Sequence, residues 1–470
     1  MLLVALLGAA VVQASGVVAA FHVLARGRTS QGILAWFLAL VLMPALSLPL
    51  YLVFGPHRFW GYVRARRAGN QLLQDLVHQV TDHAPLSREE DDGFDAVAEQ
   101  LAQMPFTPGN RVRLLVDGEA TFDAIFAAIE GAREYLLLQF YIIRDDRLGR
   151  RLQRLLMEKA RGGVRVRLLY DAIGSFALPG GYVEALRMAG VEVHPFGSAT
   201  SSRSRLRLNF RNHRKIVVVD GRLAFLGGHN VGDEYLGRDP RFGRWRDTHL
   251  ELSGPAVHGV QLAFLEDWHW VTGARLELNL AAECAVTDGA RTLILPSGPA
   301  DERESCTLFF VGAIERARRR VWIVSPYFVP DEVVMTALAL AVLRGVDVRV
   351  MLPEKADHLL VYLSSYTYLA EAEETGVRFF RYSDGFLHQK VMLVDDDLAT
   401  VGTVNFDNRS FHINFEITAV VRDRAFAAEV ERMLEIDFAR CREVSRGEYL
   451  RRPLPYRAAA RLARLLSPIQ

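Results

Sequence analysis

Two histidine-lysine pairs, His213 with Lys215 and His388 with Lys390, stand 175 positions apart in this 470-residue chain. The segment from His213 to Asn230 aligns without a gap with that from His388 to Asn405. The residues shared are those with chemistry or backbone freedom: His213, Lys215, Asp220, Gly227 and Asn230 against His388, Lys390, Asp395, Gly402 and Asn405. The chain holds 13 histidines but lysine only at Lys159, Lys215, Lys355 and Lys390, its other basic residues being arginine. Chance would supply about 0.1 His-x-Lys in such a chain, so two with matching companions form a strong signal. On a strand, residues i and i+2 share a face, which sets imidazole and ammonium about 6.6 Å apart along the chain. That spacing suits one phosphate held between them.

Asp220 and Asp395 have the opposite parity, and Asp220-Gly221 reads as a hairpin turn, so these aspartates are expected to position the motif rather than react. The return strand brings Gly227 and Asn230, or Gly402 and Asn405, back beside the histidine, where the asparagine amides are expected to donate to a phosphoryl oxygen. A nucleophilic histidine needs a carboxylate on its second nitrogen. Downstream of each motif lies a candidate for this orienting role, Asp247 and Glu416, each in a β-like stretch. His229, His358 and His412 lack such companions and read as ordinary surface or supporting residues.

The elements that must carry these residues alternate β-rich runs with helical patterns, an α/β reading. Strands are expected at 112–116, 135–143, 164–170, 191–196 and 216–220, with helices at 120–130 and 148–160 between them. The series recurs: Tyr135 to Tyr141 is echoed by Val321 to Tyr327, and Gly163 to Arg167 by Gly345 to Arg349. Two copies of one unit are therefore expected, at 106–285 and 286–445, after a linker region at 61–105 containing the acidic stretch Ser87 to Asp92. A basic tail follows at 446–470, with Arg451, Arg452, Arg457, Arg461 and Arg464; it reads equally as an amphipathic helix on anionic lipid or as a solvated terminal helix.

Residues 1–60 read as a two-helix transmembrane hairpin, because the runs 2–25 and 33–54 are each about the ~20 residues that span a bilayer. Arg26 and Arg28 lie in the connector, and Arg58, Arg64, Arg66 and Arg67 follow the second run. The heavier basic flank predicts a multi-pass protein with its catalytic domains on the cytoplasmic side. A net charge of +1 argues against nucleic acid as a partner. Three widely spaced cysteines show no metal or redox pairing pattern, and a reducing compartment is the simplest reading.

The duplicated motif with its trailing glycine and asparagine resembles the phospholipase D superfamily. Within it the chain is similar to bacterial cardiolipin synthases with an N-terminal anchor, over nearly its whole length, including Gly227 to Gly237, Ser325 to Asp331 and Gly402 to Ser410. The resemblance implies two tandem phospholipase D-like α-β-α sandwich domains in pseudo-twofold relation, with both histidines facing one phosphate. It implies a covalent reaction without metal or cofactor, in which one histidine forms a phosphohistidine and the other serves as acid and base; the near-symmetric motifs do not separate the two, and His213 is taken as nucleophile with His388 as acid and base. Lys215, Lys390, Asn230 and Asn405 would offset charge on the phosphate, with Asp220 and Asp395 as the remaining motif members. It implies phosphatidylglycerol as substrate and the bacterial inner membrane as location. One departure is Gly228, where many members carry serine and where the second motif has Thr403, so a hydroxyl donor to the phosphate is missing on that side and a backbone N–H could replace it. The expected reaction transfers a phosphatidyl group between two phosphatidylglycerols and releases glycerol. Hydrolysis, or transfer to another alcohol, remains an alternative that the motifs do not separate. A nuclease is disfavoured by charge and anchor, and a lipid-binding scaffold by the intactness of both motifs.

Overall fold

The computed structural model describes residues 2–26, 30–55, 93–197, 210–279, 284–355 and 357–467. The N-terminal helices belong to one compact unit, and the described residues 93–196 and 211–467 to another.

In the first unit a helix runs from Leu2 to Arg26, and its segment Leu6–Ala25 is long and apolar enough to cross a membrane, with mean hydropathy 1.8. The second apolar run differs from the single span expected of it. It forms two shorter helices, Ser30–Leu42 and Pro44–Phe54, broken at Met43, whose φ of −137° and ψ of 56° lie outside the helical region. The cause is Pro44, whose ring excludes α geometry from the residue before it. Pro49 stays inside the third helix, where the Ser47 hydroxyl donates to the carbonyls of Ala39 (2.9 Å) and Met43 (2.8 Å). The three helices bury Ala20, Val23, Leu40 and Tyr51 and expose Leu3, Leu7, Val18, Phe21 and Leu46. A helix apolar on its outward face too is built for an apolar surrounding. Arg28, Arg58, Arg64, Arg66 and Arg67, on which the orientation rests, lie outside the described residues, as does the acidic stretch at 87–92.

The second unit is built on one 15-stranded mixed sheet. Across its first half the order is Glu192–Phe196, Arg165–Asp171, Tyr135–Phe140, Ile216–Val219, Leu223–Gly227, Thr248–Ser253 and Thr107–Val116. The second half continues as Ala290–Ser297, Glu416–Arg422, Leu398–Gly402, Val391–Val394, Arg320–Val324, Asp347–Pro353, Arg378–Tyr382 and Cys441–Glu443. Each half thus sets three parallel strands beside an antiparallel hairpin that carries the repeated motif. The hairpin strands Ile216–Val219 and Val391–Val394 are continuous aliphatic runs because both faces are buried, with helices on the two sides of the sheet. One apolar cluster draws Leu226 and Leu250 from the first half and Val391, Val401 and Ile417 from the second, so the core is continuous across the seam. The expected helices appear as Asp117–Gly131 and Arg147–Arg161, the latter capped by Asp146, whose Oδ1 accepts from Gly149 N at 2.9 Å. In the tail, the helix Leu454–Arg464 packs on Leu359–Glu374 around Tyr366, Tyr449 and Ala460.

Candidate active site

Both histidines lie just before a buried hairpin strand and are themselves buried, His213 at 7% exposure and His388 at 8%. Each sits in a short segment that pairs with the opposite half of the chain. Asn212 bridges Phe415 in parallel, and His213 N donates to Phe415 O at 2.9 Å; Phe386–Leu387 pairs in parallel with Trp245–Arg246, and His388 N donates to Arg246 O at 2.8 Å. The next residues along those partner segments are Glu416 and Asp247. The carboxylates are consequently exchanged between the halves: His213 Nδ1 donates to Glu416 at 2.9 and 3.1 Å, and His388 Nδ1 donates to Asp247 Oδ2 at 2.6 Å. Fixing Nδ1 as the donor leaves Nε2 as the basic nitrogen of each ring.

The lysines share this site. Lys215 Nζ donates to His213 O at 2.7 Å and Lys390 Nζ to His388 O, and both side chains are buried, which rules out a snorkelling role. Burial pushes the Lys215 ammonium well below its usual range and Lys390 down to about 8. Burial likewise pushes His213 down to about 4 against the pull of Glu416, and burial together with Lys390 pushes His388 down to about 3. Burial alone would raise Asp247 and Glu416, but the facing imidazoles and lysines hold both below their ordinary values. The charge of Lys390 is felt at His213 and that of Lys215 at His388, so the four groups act within one buried site. At neutral pH that site holds two neutral imidazoles, each on an anionic carboxylate, with a lysine bonded beside each: an arrangement for a phosphate ester.

The remaining expected residues take a range of places. Asp220 and Asp395 lie at the far end of each hairpin strand, both at φ 51°. Asp220 accepts from the backbone N–H groups of Arg133, Glu134 and Tyr135 at 2.8–2.9 Å, and Asp395 from those of Arg318, Arg319 and Arg320 at 2.8–3.1 Å. They fasten the start of the neighbouring strand and touch neither histidine. Asn230 Oδ1 accepts from Ile142 N at 3.0 Å, and its amide spends one of two hydrogens on Tyr235 Oη at 3.0 Å, which leaves the other for a phosphoryl oxygen. Asn405 differs, since its buried Oδ1 has no hydrogen-bond partner among the described residues. The Thr403 hydroxyl turns to Glu416 Oε2 at 2.5 Å and accepts from Ile417 N at 2.9 Å, so it steadies the carboxylate instead of reaching for the ligand. Gly228 occupies the equivalent place, its N donating to Thr248 O as Thr403 N does to Ile417 O. A Cβ at Gly228 would lie 2.0 Å from Asp247 Oδ1, so glycine makes room for the carboxylate itself. His229 is fully buried beside His249, ring centroids 5.6 Å apart, and not at the surface; His358 is exposed, and His412 Nε2 bonds Asp331 at 3.2 Å.

Other residues of the site carried no sequence signal that singled them out. Asn414 Nδ2 donates to Glu416 Oε1 at 3.1 Å, Tyr141 packs edge-on to His213 at 5.1 Å, and Trp245 lies 5.2 Å from His388. Arg214 and Gln389, the middle residues of the two motifs, point the other way by strand parity and bond Asp267 (3.0 Å) and Asp437 (2.9 Å) on the covering helices.

With this geometry in place, relatedness to known proteins is clear. The family described as cardiolipin synthase, PLD-like domain, matches residues 125–240 and 310–438, and a phospholipase D-nuclease N-terminal family matches residues 16–56. The chain belongs to the phospholipase D-like cardiolipin synthase family. It is 49% identical over 460 residues to cardiolipin synthase A of Pseudomonas putida, covering 97% of this chain and 95% of that one. It is 51% identical over 466 residues to cardiolipin synthase A of Pseudomonas aeruginosa, covering 97% and 94%. Among solved structures, phosphatidylserine synthase of Haemophilus influenzae is similar in fold, with TM-score 0.61 at 16% identity over 81% of this chain and 100% of that one. Polyphosphate kinase of Porphyromonas gingivalis matches at TM-score 0.51 and 14% identity, over 76% and 52%. Membership of the family makes this chain a phosphatidyltransferase.

Proposed function

We propose that the enzyme joins two phosphatidylglycerol molecules into cardiolipin and glycerol through a phosphohistidine on His213. The observation that carries this reading is the exchange of carboxylates: each imidazole is oriented by the other half of the chain, so neither half is complete alone. In the first step His213 Nε2 attacks the phosphorus of one lipid. The P–N bond forms, the P–O bond to the headgroup glycerol breaks, and His388 supplies the proton that leaves with glycerol. In the second step the hydroxyl of another phosphatidylglycerol loses its proton to His388, and its oxygen takes phosphorus from nitrogen. His388 is neutral in the empty site; the phosphodiester anion beside it is what raises its proton affinity on binding. Lys215, Lys390, Asn230 and Asn405 offset charge on the non-bridging oxygens, while Asp220, Asp395, Thr403 and Gly228 hold the site in shape.

Domains bounded at 106–285 and 286–445 as tandem phospholipase D-like sandwiches, the linker region 61–105 and tail 446–470, belong to the same proposal. So do a hairpin anchor at 1–60, multi-pass in the bacterial inner membrane, and catalytic domains on its cytoplasmic side. The helix Leu2–Arg26 supports the anchor, which would keep the site where acceptor lipid is concentrated. Brief exposure of His213→Ala and His388→Ala variants to phosphatidylglycerol, followed by intact-protein mass spectrometry, tests the assignment. A phosphatidyl adduct is expected on His388→Ala and not on His213→Ala; the reverse would exchange the roles.

A further inference from the structure

Lys355 is the lysine that the site leaves unexplained. Lys215 and Lys390 belong to the motifs, and Lys159 donates to the carbonyls of Glu130 and Ala132. Lys355 is exposed and makes no hydrogen bond or ion pair among the described residues. It follows the strand Asp347–Pro353 at the end where Ser325, on the adjoining strand's exit, lines the same space as Lys390. There it borders a cleft with Tyr327, Asp357, His358, Tyr362 and Arg381. Arg381 is 2% exposed; its Nη1 donates to Pro353 O at 2.9 Å, but its Nη2 has no hydrogen-bond partner among the described residues. A guanidinium nitrogen buried without a partner is costly unless an anion completes it. Asp357 adds acceptor capacity. It takes the Tyr327 hydroxyl at 2.5 Å and His358 N at 2.7 Å, leaving about half of the roughly four lone-pair sites of a carboxylate for other hydroxyls. The first half has no equivalent among the described residues, for the position that matches Asp357 is Ser175, whose hydroxyl donates to Tyr141 O and accepts from Ile143 N, both at 3.0 Å.

We propose that this cleft is the acceptor subsite, in which Lys355 and Arg381 take the phosphate of a second glycerophospholipid headgroup while Asp357 and Tyr327 take its glycerol hydroxyls. The inference rests on the reaction proposed above, which brings two phosphates together. One must lie between the histidines, so the other needs cations of its own. From the cleft the terminal glycerol oxygen attacks the phosphohistidine, the P–O bond forming as P–N breaks, and the hydroxyl proton passes to His388.

The test uses full-length enzyme in detergent micelles of phosphatidylglycerol with labelled free glycerol, which is an acceptor without a phosphate. Products are cardiolipin from the lipid acceptor, labelled phosphatidylglycerol from glycerol and phosphatidic acid from water, all read by mass spectrometry. In Lys355→Met and Asp357→Asn the ratio of cardiolipin to labelled phosphatidylglycerol should fall at least fivefold at low lipid mole fraction and recover as that fraction rises. Lys355→Arg should keep half of the parental ratio or more, and the surface variant Arg154→Ala all of it. An unchanged ratio in Lys355→Met, with cardiolipin and labelled lipid falling together or not at all, would overturn the subsite. Inorganic phosphate suppressing the ratio at the concentration of the lipid would show a site for free anion and overturn it too. Parent enzyme that makes phosphatidic acid but no cardiolipin would instead overturn the proposed reaction.

Discussion

Replacing Gly228 with threonine should disable His388 without touching it. A Cβ at this position falls 2.0 Å from Asp247 Oδ1 and 2.5 Å from its Cγ and Oδ2, so the carboxylate must retreat by more than an ångström to reach ordinary contact. That retreat breaks the 2.6 Å bond to His388 Nδ1 and the 2.8 Å bond from Thr248 N. A misplacement near 1 Å costs roughly 10²-fold in rate, and loss of the orienting carboxylate of a catalytic histidine about 10⁴-fold. The expected fall in kcat is therefore about 10²- to 10⁴-fold, or about 2.7 to 5.4 kcal/mol at ~1.36 kcal/mol per tenfold. The second half supplies the remedy, since it pairs a threonine, Thr403, with the longer Glu416. Adding Asp247→Glu to Gly228→Thr copies that pairing and should restore at least tenfold of the lost activity, measured as cardiolipin formed per minute at saturating lipid. A Gly228→Thr enzyme within threefold of the parent, or a double variant no better than the single one, would refute the idea that residues 228 and 247 are matched by space.

Glu416→Gln should lower kcat by about 10³- to 10⁴-fold while leaving the fold intact by circular dichroism, because an amide no longer fixes the imidazole tautomer; a loss below tenfold would count against the role. The pH dependence of stability has a definite sign. His213 and His388 titrate from 6.5 in the unfolded chain down to about 4 and about 3 in the folded one, so the unfolded chain alone takes up their protons in between. The stability they carry is whole above pH 6.5 and drains away as pH falls toward 4, above the window where Asp247 and Glu416 contribute. Tm should therefore drop between pH 7 and 5, with a shallower drop in His388→Asn; equal slopes would contradict the buried neutral imidazole. Asp220→Ala removes the acceptor of three backbone N–H groups and leaves a non-glycine residue at φ 51°, for an expected loss of about 1–3 kcal/mol in stability. The variant should melt earlier yet keep activity within threefold at low temperature, and a large activity loss in a fully folded variant would return Asp220 to the chemistry.

How far the sequence could be read depended on whether a feature is local. His213 and Lys215 declare themselves through an i, i+2 spacing that any strand enforces, and the parity of Asp220 already sets it apart from them. The two carboxylates are visible as residue types in β-like stretches, but their exchange is not. It depends on the parallel pairing of Asn212 with Phe415 and of Phe386–Leu387 with Trp245–Arg246, contacts that join positions more than a hundred residues apart. Thr403 misled because spacing gives the neighbourhood of a polar group and not its partner: Glu416 lies within its hydroxyl's reach and takes its one hydrogen. At the N-terminus, hydropathy over the second apolar run outweighed a local rule that Pro44 imposes on Met43. The cleft at Lys355 and Arg381 left no periodic trace, though the rarity of lysine had marked one of its residues.

The central claim is that two imidazoles, one from each half, meet at one phosphorus. A structure of the enzyme with bound orthovanadate tests it most directly. The account predicts a single vanadium with His213 Nε2 and His388 Nε2 on opposite sides and Lys215 and Lys390 on its equatorial oxygens. Vanadate held by one histidine with the other turned away, or two separate vanadate sites, would contradict it.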